Sequence, residues 1–369
     1  MKEIAYFIET ASLFESTYTG ISNVNFEIVK YFFQNFSANT NFFHLKNIIK
    51  PEIVDFIIKT KNGGNLHRMH LNGSLYKSDV NEAVNRCKKN GAITVGIFPR
   101  TKVLIYGENK VTYSAFFDYE AQVIYDLSTI LMPEFHHGTT IKLHAESFSQ
   151  DLKTNDLAIC ISESTKEDLV QYLGFPAEKA LVSYVGCEHD LQNAAVYKNL
   201  MSRYSAEDFV LILGTVEPRK NTQLIIDFIA ENPEILVKYK FVFLGKDGWG
   251  KTFHQMISGL VINNEQNHER IKHFGYVSEE EKYILLMTAK FMIYPSFYEG
   301  FGLPVLEAMS VGCPVLASFS SSIPEVGGDC VFYFDPFSLA SFEQGFHLID
   351  ETIDKQRGKV VNDIIAQSK

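Results

Sequence analysis

Two alternating periods constrain this chain more than any other feature. Short β-branched or aromatic runs are repeatedly followed by longer amphipathic stretches, the pattern of parallel sheets covered by helices on both faces. In the first half the spacing predicts strands over Ile4–Ile8, Gln122–Tyr125, Leu157–Ile161 and Ala180–Val185, with helices over Val24–Phe36 and Lys166–Leu173. In the second half it predicts strands over Phe209–Leu213, Lys240–Leu244, Arg270–Phe274, Phe291–Tyr294, Pro314–Ala317 and Val331–Phe334. Helices are expected between them at Thr222–Ala230, Glu279–Met287 and Leu303–Val311. At 369 residues the chain is too long for one ordinary domain and suits two, each able to bury a core. A polar stretch without a firm period separates the halves. The expected class is therefore α/β, with a domain over 1–190, a linker over 191–208 and a second domain over 209–369. Residues 50–120 give no firm elements, and no internal repeat is visible.

Composition narrows the function classes. A formal charge of −10 argues against broad attraction to nucleic acid, which requires a basic face, while leaving room for a local basic pocket. The cysteines (Cys87, Cys160, Cys187, Cys313 and Cys330) are odd in number, widely spaced and without a C-x-x-C pair, so reduced thiols are expected rather than disulfides or a zinc site. The start at Met1-Lys2-Glu3-Ile4 lacks the apolar stretch and cleavage site of a signal peptide. No apolar run reaches the roughly 18 residues that span a bilayer. The expected location is the cytoplasm, or at most the periphery of a membrane.

Three turns could carry chemistry. In Tyr294-Pro-Ser-Phe-Tyr-Glu299-Gly300-Phe301-Gly302-Leu303-Pro304-Val305-Leu306-Glu307, a strand ends, a loop with glycines follows, and Pro304 suits the first turn of a helix. Amides near Gly302 and Leu303 would face the carboxyl end of a parallel sheet, where anions bind. Glu299 in the loop and Glu307 in the helix could meet a sugar ring and a ribose, because carboxylate oxygens accept charge-assisted hydrogen bonds from vicinal hydroxyls. The second turn, Gly214-Thr-Val-Glu-Pro-Arg219-Lys220-Asn221, sets two cations beside a helix expected to be capped by Asn221. Cations there oppose the helix dipole unless an anion such as a diphosphate joins them. The third, Tyr18-Thr19-Gly20-Ile21-Ser22, offers a glycine between a strand and a helix, where a ligand can approach the backbone. For each, the ordinary alternative is a solvated or purely conformational loop.

Together these residues resemble the retaining family 4 glycosyltransferases, which have the GT-B fold of two Rossmann-like domains with parallel sheets facing a cleft. The likeness includes Thr19-Gly20-Ile21, Tyr125-Asp126-Leu127-Ser128 with Pro133-Glu134, Ile161-Ser162-Glu163, Gly214 to Asn221, Gly245 to Gly250, Glu299 to Glu307 and Ile323 to Gly328. Within the family the chain looks most like bacterial mannosyltransferases of surface-polysaccharide assembly. The resemblance implies that Arg219 and Lys220 neutralise the donor diphosphate and that Glu307 holds the ribose. It implies that Glu299, with the amides of Gly300, Phe301, Gly302 and Leu303, orients the donor sugar, and that Gly20 lets the first domain approach the phosphates. It further implies retention of anomeric configuration by front-face displacement, a nucleotide diphosphate sugar as co-substrate, no metal or other cofactor, and a glycan or lipid-linked oligosaccharide acceptor at the inner membrane. GDP-mannose is the first expectation for the donor, ahead of UDP- or dTDP-linked hexoses. Many relatives carry His-Asp where this chain has Tyr125-Asp126, which leaves sugar or acceptor contact open to Tyr125 but makes it a poor base. Relatives also commonly end in a helix that returns to the first domain.

Other readings compete. Gly245-Lys-Asp-Gly-Trp-Gly-Lys251-Thr252 matches the G-x-x-x-x-G-K-[ST] phosphate loop after a strand, which would suit an NTP-hydrolysing enzyme, with Asp335 as a magnesium ligand. A protein that binds a nucleotide sugar without turnover is a further alternative, motivated by Tyr125. His136-His137 and His67-x-x-His70 lack the additional ligands of a metal site, and no D-x-D occurs.

Overall fold

The computed structural model describes residues 3–10, 20–44, 47–60, 76–98, 117–187, 208–258, 260 and 269–367. The expected linker over 191–208, the His67-x-x-His70 pair and Thr19 fall wholly or almost wholly outside these residues. The chain forms two compact units, one of residues 1–130 and 139–184, the other of 131–138 and 185–369.

The first unit contains an eight-stranded sheet. Its strands are β1 (Ile4–Glu9), β2 (Thr40–His44), β3 (Asn47–Ile49), β4 (Tyr76–Asp79), β5 (Ile93–Phe98), β6 (Tyr119–Ile124), β7 (Leu157–Cys160) and β8 (Ala180–Val182). Their order is β4-β3-β2-β1-β5-β6-β7-β8, parallel except for the β2–β3 and β3–β4 pairs. Side chains alternate across the sheet. Ile8, Phe42, Ile49 and Ile97 pack with Phe26 and Val29 of the helix Gly20–Phe36 and with Val54 and Ile57 of the helix Pro51–Thr60. Phe7, Phe43, Ile48 and Phe98 face the opposite way, onto Val80, Ala83 and Val84 of the helix Val80–Lys89. The elements over 47–98 arise where the sequence pattern predicted none. Their strands are only three to six residues long, too short for period-two alternation to stand out.

The second unit contains a six-stranded, wholly parallel sheet of β9 (Phe209–Leu213), β10 (Lys240–Leu244), β11 (Ile271–Gly275), β12 (Phe291–Tyr294), β13 (Val315–Ser318) and β14 (Phe332–Phe334). The order β11-β10-β9-β12-β13-β14 is the doubly wound one, reversing direction between β9 and β12. These strands read as continuous apolar runs because both faces are covered. On one side Val210, Ile212, Phe241, Phe243 and Ile293 pack against Ile225, Phe228 and Ile229 of the helix Thr222–Glu231 and against Phe342 and Phe346 of the closing helix Leu339–Gln367. On the other, Leu211, Val242, Leu244, Met292 and Tyr294 meet Leu285 and Leu286 of the helix Glu279–Thr288 and Val305, Ala308 and Met309 of the helix Leu303–Ser310.

The closing helix is kinked at Gln356, where the backbone leaves helical geometry. Beyond the kink Ile364 is buried in the core of this same unit, and before it Asp350 and Asp354 hold the buried Lys290 at 2.8 and 2.6 Å. The hydroxyl of Tyr239 accepts from Lys290 at 2.7 Å and donates to Asp350 at 2.5 Å, so the ammonium buried at the start of β12 is neutralised in place.

Gly245 shows why the segment 245–252 is rich in glycine. Its φ is +138°, and a Cβ there would stand 2.0 Å from the carbonyl oxygen of Gly214. Replacement by alanine combines a disallowed backbone with a backbone clash. Gly245→Ala should lower stability by about 2 kcal/mol or more, seen as a reduced urea midpoint for the second unit.

Candidate functional site

In a doubly wound sheet, the loops leaving the carboxyl ends of the two central strands diverge to opposite sides and leave a crevice. Here those strands are β9 and β12, and their loops carry Arg219-Lys220 and Glu299. After β9 the chain passes through a 3-10 turn, Pro218–Lys220, and then through Asn221 in the left-handed conformation (φ 53°). Asn221 occupies the residue before the helix Thr222–Glu231 as expected, but its side chain does not cap it. A capping residue needs extended backbone. The left-handed turn sends the Asn221 amide to the carbonyl of Pro336 instead, at 2.9 Å. The two loops are tied together directly, since the Phe297 amide donates to the Arg219 carbonyl at 2.9 Å.

Between the loops lies a buried cluster of charge. One carboxylate oxygen of Glu299 is 3.0 Å from Nη1 of Arg219 and the other is 2.5 Å from Nζ of Lys220. Arg219 also donates to the Tyr298 carbonyl at 2.7 Å and pairs with Glu217 at 3.2 Å, and Lys220 reaches the Tyr294 hydroxyl at 3.1 Å. Glu299 is 8% exposed, so burial works to raise its pKa; the Arg219 and Lys220 charges overcome that and hold it down at about 2. Burial pulls the Lys220 ammonium below its ordinary value, against the attraction of Glu299. The anion that the sequence pattern demanded beside these cations is thus supplied, in this structure, by the chain itself.

Glu307 stands in a different environment. The helix Leu303–Ser310 begins after Gly302, whose φ of 98° only glycine adopts readily, with Pro304 in the first turn as expected. Glu307 lies one turn in and pairs at 2.8 Å with Lys282, which also holds Glu279 at 2.8 Å. Burial pushes the Glu307 carboxyl above its ordinary value, Lys282 opposing the shift. Gly300, Phe301 and Gly302 are all buried between the two glutamates. Lys282 carried no signal in the sequence, because its partner lies on another helix.

The remaining expected residues belong to the first unit. Gly20 opens the helix Gly20–Phe36 after β1. The Tyr125 hydroxyl, just past β6, donates to Oδ1 of Asn25 on that helix. Asn25 is buried and was not anticipated. Asp126 is engaged locally, accepting from the Ser128 amide at 2.9 Å and the Ser128 hydroxyl at 2.7 Å.

Segment 245–252 departs from a phosphate cradle. The Gly245 amide donates to Gly275 and the Gly248 amide to Val216, while the Lys246 carbonyl accepts from Val216. Thr252 spends its hydroxyl capping a helix of only five residues, Phe253–Ile257, in a capping box with Gln255. Backbone pairing with the 214–217 loop accounts for these glycines, and the NTP-hydrolysing reading loses its basis. Among the described residues no three His, Cys, Asp or Glu side chains converge as a metal site requires. Among the same residues no helix is long and apolar enough to cross a membrane.

The Glu299 cluster has a pH signature. A carboxyl whose folded pKa is depressed contributes stability that is complete above its unfolded value and lost as pH falls towards the folded one. For Glu299 that window runs from 4.5 down to about 2. Glu299→Gln should cost about 3 kcal/mol at pH 7. In urea unfolding across this range, the gap between wild type and variant should close as the medium acidifies.

Comparison with known proteins agrees with this geometry. Residues 201–353 match the family of glycosyl transferases group 1. The O-antigen chain mannosyltransferase B of Escherichia coli is 30% identical over 217 residues, covering 58% of this chain and 56% of that protein. The O-antigen chain mannosyltransferase RfbU of Salmonella typhimurium is 24% identical over 197 residues, 53% of this chain and 51% of that protein. The chain thus spans about half the length of these two curated relatives. Among solved structures, HepE of Anabaena in complex with UDP-glucose superposes with a TM-score of 0.65 at 18% identity, over 99% of this chain and 94% of that one. WaaG, a glycosyltransferase involved in lipopolysaccharide biosynthesis, gives 0.63 at 12% identity, over 99% and 95%. The chain therefore has the GT-B fold of these structures, and its residues 201–353 are similar to the glycosyl transferases group 1 family.

Proposed function

We propose that this protein transfers a hexose, with retention of configuration and without a metal, from a nucleotide diphosphate sugar to a glycan or lipid-linked oligosaccharide during bacterial surface-polysaccharide assembly. The observation that carries the reading is the buried Glu299–Arg219–Lys220 cluster at the reversal point of the sheet. Two cations held on a tight turn form a site for a diphosphate, and a carboxylate already aligned between them is placed to accept hydroxyls of the sugar attached to it.

In this mechanism Arg219 and Lys220 stabilise the charge that grows on the leaving diphosphate, work a metal ion performs elsewhere. Glu299, with the backbone of Gly300, Phe301, Gly302 and Leu303, orients the donor sugar. Glu307 accepts the ribose hydroxyls. The departing phosphate oxygen takes the proton of the incoming acceptor hydroxyl on the same face of the sugar. Catalysis then consists mainly of positioning and preorganised charge. Gly20, Tyr125 and Asp126 are proposed to contact the acceptor or the sugar. Tyr125 does so as a hydrogen-bonding group, since a phenol is too weak a base near neutral pH.

GDP-mannose is the proposed donor, supported by the O-antigen mannosyltransferases among the relatives, although a structural neighbour was solved with UDP-glucose. A lipid-linked acceptor would bring the protein, from the cytoplasm, to the inner face of the membrane. Thermal-shift measurements with GDP, UDP, dTDP and ADP identify the base, because a ligand of the folded state raises its melting temperature. With the donor identified, Lys220→Ala should lower kcat/KM by about 100-fold or more, the loss typical of one charge-stabilising donor. Glu307→Ala should act mainly on donor KM. Lys251→Ala should leave transfer unchanged, and activity should survive EDTA; a strict requirement for added divalent ion would overturn the metal-free mechanism.

A further inference from the structure

Glu299 lies on a loop that belongs to no regular element, yet its backbone is held from several sides. The clamp comes from the end of β13 and the turn that follows it, where four of the five residues from 318 to 322 are serines. Each hydroxyl engages the backbone of residues 296–299. Ser318 donates to the Ser296 carbonyl at 2.6 Å, Ser320 to the Phe297 carbonyl, and Ser322 to the Glu299 carbonyl at 2.9 Å. Ser321 runs in the opposite sense, its oxygen accepting from the Glu299 amide at 2.8 Å. The peptide groups on both sides of Glu299 are therefore held by adjacent serines. Ser318 and Ser322 are fully buried, so neither hydroxyl is simply a solvated surface group.

Ser321 is also one of only two non-glycine residues with positive φ among those described, at 46°. Left-handed backbone is costly for a residue with a Cβ and persists where surrounding contacts impose it. The strained residue is the one whose hydrogen bond runs in reverse and holds the Glu299 amide.

We propose that the serines of Ser318–Ser322 are positioning residues for Glu299, fixing its backbone so that the carboxylate keeps its place when Arg219 and Lys220 turn to a donor diphosphate. The inference rests on the donor-site reading above. Two ion pairs hold the carboxylate. An arriving diphosphate competes for both cations, so the ion pairs weaken at the moment the sugar must be oriented. The serine bonds go to backbone and not to the carboxylate, so they are not among the ion pairs for which a diphosphate competes. Glu299 can then exchange cations for sugar hydroxyls without its loop recoiling.

The test separates hydroxyl from backbone strain. Ser321→Gly removes the hydroxyl and frees the backbone, whereas Ser321→Ala removes the hydroxyl and keeps the strain. Both should lower kcat at least tenfold while donor KM stays within about threefold, and in hydrogen exchange the Glu299 amide should lose protection. A folded Ser321→Gly with kcat within twofold of wild type would falsify the proposal, as would a loss of kcat matched by a proportional loss of donor affinity. If either variant does not fold, Ser320→Ala, which leaves the backbone unaltered, is judged by the same criteria. Wild-type protein that binds no nucleoside diphosphate in the thermal-shift panel would overturn the donor-site reading itself, and this proposal with it. Wild-type protein that binds and transfers, beside an equally active Ser321→Gly, would overturn this proposal alone.

Discussion

The second unit is organised around one electrostatic constraint: Arg219 and Lys220, adjacent in sequence, point into a largely water-free space and require an anion there. Glu299 meets that need across 79 residues of chain. Such a cluster is a poor device for stability, because desolvating three charges offsets most of what their attraction contributes, and a well-packed apolar substitute is often at least as stable. It suits the donor site proposed for it, in which the internal anion yields part of its partnership to an external one. The sheet makes the arrangement achievable. With β9 and β12 adjacent at the reversal of strand order, their loops emerge side by side, and a hydrogen bond from Phe297 to Arg219 fixes the spacing.

The two glutamates of the loop-helix element show how neighbours, rather than burial, divide the roles of like groups. Both are largely withdrawn from water, and burial alone would raise both. Glu299, between two cations, is driven low and stays ionised. Glu307 shares a single lysine with Glu279 and is left raised. A fully charged acceptor beside the sugar and a less strongly held one beside the ribose fit the division of labour proposed for them.

The segment 245–252 carries the opposite lesson. A pattern of glycines followed by Lys-Thr satisfies a phosphate-loop template in composition, yet the template works only if several amides remain free to converge on a ligand. Here the Gly245 and Gly248 amides are spent on the carbonyls of Gly275 and Val216, and Gly245 is glycine because the Gly214 carbonyl leaves no room for a Cβ. Spacing in the chain cannot reveal whether an amide is already taken.

How much was legible follows the same logic. The parallel sheet of the second unit could be read strand by strand because its strands are buried on both faces and form unbroken apolar runs, and Gly302 with Pro304 marked the helix start through local backbone preferences. Arg219, Lys220, Glu299 and Glu307 stood out as candidates because a strand-turn-helix of that composition has few uses, and the fold brings the first three together. The short strands over 47–98 escaped notice, since runs of three to six residues show little period. Asn221 was misjudged as a cap because asparagine suits both a capping position and left-handed backbone, and the sequence does not say which it takes. Lys282 beside Glu307, Asn25 beside Tyr125 and the serine bonds around Glu299 were decided only by the tertiary structure. The sequence by itself determined which groups carry charge and which turns can bend; folding alone decided which of them meet, because hydrogen bonds and ion pairs depend on distance in space and not on distance along the chain.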